Sequence, residues 1–245
     1  MLKILSKSLL TVSAMTLMLN ASSTLISQDK IEEIKELELF KRANIDIVNG
    51  HDLDSLYYLN IKVQGNPNTV YLTKDKKYLV SGEVINTTSG KKLTAPVDLS
   101  ILEEGKEALT FGKGSQELVL FTDPECPYCK KFESYFKQIE DKVKIKIFFF
   151  PLDFHKNARD LSAYVMSKDT NEDKVKAMLN TTKDSENFKN RNIPAEKLNE
   201  LYSSIDEQIK LGVQLGVQGT PALFDKDGNS VSWTELLASH GIQVK

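Results

Sequence analysis

The second half of the chain, residues 115–245, predicts an α/β fold, and a small α+β segment precedes it. Three observations carry that prediction. An apolar run from Leu118 to Phe121 passes through Asp123, Pro124 and Glu125 into Cys126-Pro127-Tyr128-Cys129, after which Cys129, Phe132, Phe136 and Ile139 recur at helical spacing. Val143, Ile145 and Ile147 then alternate with lysines before three consecutive phenylalanines, the pattern of a strand. Between residues 45 and 80, short apolar stretches alternate with turn-forming residues, as in an antiparallel sheet.

Residues 1–23 read as a signal peptide rather than part of the fold. Lys3 and Lys7 form a basic start, the apolar stretch from Leu9 to Leu19 is too short to span a bilayer, and Ala21 and Ser23 supply small residues for cleavage near Ser23. Its removal takes the formal net charge from −2 to −4. No basic tract follows, which argues against nucleic acid as a partner.

Asp29 followed by Glu32 matches a capping box, and Ile31, Ile34, Leu37 and Phe40 make the apolar stripe of one helix. Strands are expected at 45–48, 57–63, 70–73 and 78–80, with turns at Asn49-Gly50, at residues 65–68 and at residues 74–77. A segment of about seventy residues with few large apolar side chains buries a marginal core by itself, so it either packs on its neighbour or pairs with a copy of itself. Residues 93–114 form the connection. Pro96 stops any preceding strand, Asp98 or Ser100 caps a short helix through Leu109, and Gly112 and Gly114 end it. After the strand at 143–150, helices are expected at 158–168, 171–180 and 195–211. A hairpin at 223–233 and a closing helix at 234–240 complete the chain.

Both cysteines of the chain sit two residues apart where a strand hands over to a helix. Cys126 falls at the first helical turn, where unpaired backbone N–H groups and the helix dipole favour an anion, so a thiolate is stabilised there as a nucleophile. Pro127 suits a first turn. Cys129 lies on the apolar face, shielded, and is close enough to resolve a mixed disulfide formed by Cys126. A purely structural disulfide closing so short a loop would stabilise little. A zinc site requires four ligands, and there is no second cysteine pair while His51, His155 and His240 are scattered; no metal and no cofactor are expected. An exported chain with one CxxC and no other cysteine uses it as a reagent rather than a scaffold. His155 is expected at the surface or in a cap at the start of the helical insertion, and Glu125 in solvent.

A second motif, LGVQLGVQGTPALF at 211–224, lies about ninety residues after the cysteine pair. Together with CPYC opening a helix, it resembles the thioredoxin superfamily and, more narrowly, the periplasmic disulfide isomerases of the DsbC/DsbG type. The resemblance implies a thioredoxin-like catalytic domain at 115–245 with a helical insertion. It also implies that Pro221 is cis and packs against the cysteine pair, and that Thr220 is of the type seen in the isomerase branch. Pro127, Tyr128, Thr220 and Pro221 then shape the site and bind clients around catalytic Cys126 and Cys129. The stretch YLTKDKKYLVSGE at 71–83 resembles the amino-terminal dimerisation domain of the same isomerases, which assigns 24–92 to dimerisation and 93–114 to a linker helix. Implied with these are a periplasmic homodimer, clients that are unfolded or misoxidised exported proteins, and a membrane thiol reductant. The best-known members carry a further disulfide in the catalytic domain, which this chain lacks. A dimeric dithiol oxidase and a thiol-independent chaperone remain alternatives.

Overall fold

A computed structural model of the chain describes residues 24–87 and 92–245; the predicted signal peptide lies outside these residues. The chain divides after Leu93 into two compact units.

In the first unit, β1 (Thr24–Leu25), β2 (Ile45–Asp52), β3 (Leu56–Val63), β4 (Asn66–Thr73) and β5 (Leu79–Ser81) form an antiparallel meander in sequence order. The expected single helix is two, α1 (Gln28–Lys35) and α2 (Glu38–Arg42), because extended Leu37 interrupts it. The cap is Ser27 rather than Asp29: its hydroxyl accepts the Lys30 N–H at 3.3 Å, and Asp29 sits inside the first turn, where its charge favours the dipole. Asn49 and Gly50 do not turn the chain. They continue β2 past an irregularity in register after Ile47. The β3–β4 turn falls at Gln64 and Gly65, both with positive φ (52° and 82°), the backbone a two-residue hairpin requires. The core gathers Ile31, Ile34 and Phe40 from the helices against Ile47, Tyr57, Leu59, Ile61, Val70 and Leu72 of the sheet.

In the second unit, β6 (Leu109–Phe111), β7 (Gln116–Thr122), β8 (Val143–Phe149), β9 (Ala222–Asp225) and β10 (Ser230–Val231) form a mixed sheet of order β10-β9-β7-β8-β6. Only the β7–β8 pair is parallel. Between β7 and β8 run α3 (Pro127–Glu133) and α4 (Phe136–Ile139). Between β8 and β9 lie α5 (Ala158–Met166), α6 (Asn171–Asn180), α7 (Glu186–Lys189) and α8 (Ala195–Gln214), and α9 (Trp233–Ser239) closes the chain. Both sheet faces are covered, which explains the continuous apolar runs. Leu118, Leu120, Ile145, Ile147 and Phe149 face Phe132, Phe136 and Ile139. Val119, Phe121, Phe148 and Phe150 turn the other way, towards Leu215, Val217 and Phe224. The three phenylalanines at 148–150 are thus core residues on alternating faces. The short α7 lies between the helices expected at 171–180 and 195–211, and it buries Phe188 against the Tyr164 ring at 5.7 Å.

The expected linker helix is absent. Asp98 caps a single 3-10 turn at Leu99–Ile101, and the chain then straightens into β6. Leu109 and Phe111 alternate with Thr110 and pair antiparallel with Ile147, Lys146 and Ile145, so period-two burial on a distant strand overrides local helix formation. Leu99, Ile101 and Leu102 pack on the Phe121–Phe148 cluster, which makes this segment part of the second unit. Gly112 does not end a helix either: it has φ 82°, and a Cβ there would stand 2.2 Å from the Val143 carbonyl oxygen.

Candidate active site around Cys126

At the end of β7 the chain turns through Asp123-Pro124-Glu125-Cys126, closed by the Cys126 N–H donating to the Asp123 carbonyl at 3.1 Å. Asp at the first position and Pro at the second suit such a turn. The Asp123 carboxylate reinforces it by accepting the N–H groups of Glu125 (2.7 Å) and Cys126 (3.2 Å). Cys126 is extended (φ −68°, ψ 121°) and caps α3, with Pro127 in the first turn.

Both cysteines are free thiols. Cys129 is fully buried on the inner face of α3, and Cys126, the attacking position, is itself only 4 % exposed. The reason lies in the β8–β9 half of the unit. The Thr220–Pro221 peptide is cis, and the Cys126 Sγ lies 3.3 Å from the Thr220 carbonyl oxygen. Tyr128, between the cysteines, is 68 % exposed, and Pro127 is also at the surface. Burial pushes the Cys129 thiol up to about 12, against the opposing pull of the Thr122 and Thr220 hydroxyls and the Asp123 N–H, which reaches its Sγ at 3.5 Å.

Two buried carboxylates, Glu133 and Asp123, escape the sequence reading, and His155 and Glu125 lie elsewhere than expected. Glu133 is buried under the site, accepting from the Thr122 hydroxyl (3.0 Å) and pairing with Lys130 (3.0 Å), whose Nζ also reaches the Met178 carbonyl at 2.7 Å. Burial raises its carboxyl above the usual range, with Lys130 opposing. Its spacing of four from Cys129, on the apolar stripe, was the signal available. Asp123 is fully buried, and His155, expected as a surface or capping residue, instead bonds its Oδ2 through Nδ1 at 2.8 Å. Glu125, expected in solvent, is half-buried, and its two oxygens accept from Asn157 N (2.5 Å) and Asn157 Nδ2 (2.9 Å). Loop geometry after β8 brings these partners in, and local sequence pattern carries no trace of it. Among the described residues no group of three or more His, Cys, Asp or Glu side chains has the arrangement of a metal site.

The chain is similar to curated thiol:disulfide interchange proteins. It is 26 % identical over 183 residues to the probable DsbC of Bordetella avium, covering 68 % of this chain and 58 % of that protein. It is 27 % identical over 170 residues to DsbG of Escherichia coli, covering 64 % and 66 % respectively. The chain thus spans less than two thirds of the length of these relatives. A solved disulfide interchange protein from Neisseria gonorrhoeae is 22 % identical, covers 55 % of this chain and 96 % of its own, and superposes with a TM-score of 0.41. The thioredoxin-like domain family matches residues 106–235, more than half of the chain, and takes in β6 to the start of α9 with the whole cysteine site; the protein belongs to that family.

Proposed function

We propose that the protein is an exported thiol–disulfide interchange enzyme that rearranges or reduces wrong disulfides in exported proteins. One observation carries this reading: two free thiols separated by a single turn, one capping a helix 3.3 Å from the Thr220 carbonyl oxygen, the other fully buried with its proton held up to about 12. The Cys126 thiolate attacks one sulfur of a client disulfide. A Cys126–client bond forms, and the other client sulfur leaves as a thiolate. Either a client thiolate then attacks the client sulfur of this mixed disulfide, restoring Cys126 and leaving a rearranged client, or Cys129 loses its proton, attacks the Cys126 sulfur and expels the client as a thiol. The second route oxidises the pair by two electrons, which a membrane thiol reductant must return. A resolving thiol so reluctant to ionise lengthens the life of the mixed disulfide and favours the first route.

The backbone beside Thr220 and Pro221 offers polar groups to an extended client strand, with Pro127 and exposed Tyr128 flanking the thiol. The first unit serves as the dimerisation domain. Its last strand, β5, is an edge among the described residues, and Tyr78 beside it and Val80 within it are exposed. The reading of residues 1–23 as a signal peptide supports export, and the resemblance to the DsbC/DsbG type supports a periplasmic location.

The test is refolding of a scrambled multi-disulfide client together with the redox state of the pair in its native compartment. An isomerase keeps Cys126 and Cys129 mostly reduced and restores client activity. A pair found mostly oxidised, with no activity on scrambled client, assigns the protein to dithiol oxidation instead.

A further inference from the structure

The buried Asp123 carboxylate accepts four hydrogen bonds. Oδ1 takes the N–H groups of Glu125 and Cys126; Oδ2 takes the Leu152 N–H at 2.7 Å and His155 Nδ1 at 2.8 Å. As a carboxylate Asp123 can only accept, and in that form the contact is made by an Nδ1–H of His155. Three of the four donors are backbone groups set by the fold. His155 is the one side chain among them, and it comes from the loop between β8 and α5 rather than from the cysteine turn. The same carboxylate anchors the turn that presents Cys126, and the Asp123 N–H reaches the Cys129 sulfur.

We propose that His155 is a positioning residue for the reactive thiol: its imidazole N–H holds the Asp123 carboxylate on the Cys126 N–H and offsets its charge, and so sets the reactivity of the dithiol. This rests on the reading of Cys126 as the nucleophile. Without the imidazole, a fully buried carboxylate loses a charge-assisted bond beside two sulfurs that must become anionic in turn. An uncompensated negative charge there opposes thiolate formation. The other charged groups around the turn are already engaged: Glu125 by Asn157, and Glu133 by Lys130 and Thr122.

The test uses the full chain, reduced, with His155→Ala, His155→Asn and His155→Leu. Asparagine can place an amide N–H near the position of Nδ1; leucine fills the volume without a donor. Three quantities are read: the rate of Cys126 alkylation by iodoacetamide against pH, the exchange equilibrium with glutathione, and the thermal midpoint. The Ala and Leu variants should alkylate about tenfold more slowly near neutral pH, the equivalent of one pH unit in thiolate fraction, while Asn stays within about twofold of wild type. Should Ala fail to fold, Leu is read against Asn. Equal alkylation profiles and glutathione equilibria in the Leu, Asn and wild-type proteins, with only the thermal midpoint moved, overturn the proposal and leave His155 a structural tie. A wild-type pair that does not exchange with glutathione at all would instead overturn the thiol-exchange reading itself.

Discussion

The Sγ of Cys126 lies 3.3 Å from the carbonyl oxygen of Thr220, a residue 94 positions further along the chain. Two loops, one closing the β7–α3 junction and one opening β9, thereby meet at a single sulfur. Any chemistry at Cys126 takes place under the Thr220–Pro221 segment, and the sulfur is nearly covered by its own fold.

Selective labelling follows from the two thiols' surroundings. Burial holds the Cys129 thiol near 12, so it stays protonated through the neutral range. At pH 7 iodoacetamide should modify Cys126, and a Cys126→Ala variant should be labelled at least about a hundredfold more slowly, since each unit of raised pKa removes a factor of ten in thiolate. Because the thiol is raised in the fold above its ordinary value of 9.0, its contribution to stability is present below pH 9 and lost as pH rises towards 12. Urea unfolding of the reduced protein should therefore show falling stability in that window, less so in Cys129→Ala.

Glu133 gives a pH effect at the other end. Its carboxyl is raised by burial, so the fold favours the protonated form, and the associated stability is present below the ordinary carboxyl range and lost as pH rises through the raised value. Glu133→Gln keeps the acceptor for the Thr122 hydroxyl and removes the charge, while Lys130 retains the Met178 carbonyl. The variant should be as stable as wild type at pH 4 and more stable by about 1 kcal/mol at pH 7, measured by urea unfolding at both values. Equal pH dependence in the two proteins would contradict the account of this buried acid.

How much of this was legible in the sequence differs by element. The strand, the Asp-Pro turn and the CPYC helix are local: apolar run, turn residues and helical stripe all lie within about twenty-five positions, each with its own pattern. β6 is not legible locally because its partner, β8, lies far along the chain, and nothing near Leu109 and Phe111 reveals a sheet edge. The β3–β4 turn starts one residue before its expected place because Gln64 adopts positive φ without being a residue type that signals it. Glu133 was within reach, since it follows Cys129 by four on a face otherwise apolar. The bond from His155 to Asp123 was not: it joins two loops 32 residues apart, and neither residue type nor spacing encodes it.

Phe154 is 73 % exposed and stands edge-on to the His155 ring at 4.5 Å, beside the site. An exposed aromatic against the ring that bonds Asp123 suits contact with unfolded chains. Phe154→Ser should raise KM for a scrambled protein client about fivefold and leave reduction of a small disulfide unchanged, as compared by initial rates on the two substrates. A parallel loss on both substrates would place Phe154 in the fabric of the site rather than in client binding.

If the β5 edge mediates dimerisation, a charge on it should prevent the pairing of strands between copies. Val80→Glu should convert the protein from dimer to monomer by light scattering, retaining exchange with small disulfides while losing isomerisation of scrambled client. A variant that stays dimeric would remove β5 from the interface.

The most direct test of the central claim is trapping of the mixed disulfide in cells. With Cys129→Ala, the resolving thiol is gone, and on clients with no thiol placed to attack it the Cys126–client bond persists until an outside thiol breaks it. The account predicts dithiothreitol-sensitive adducts with exported proteins on non-reducing gels, abolished when Cys126 is also replaced by alanine. Absence of adducts in Cys129→Ala, or their survival in the double variant, would contradict it.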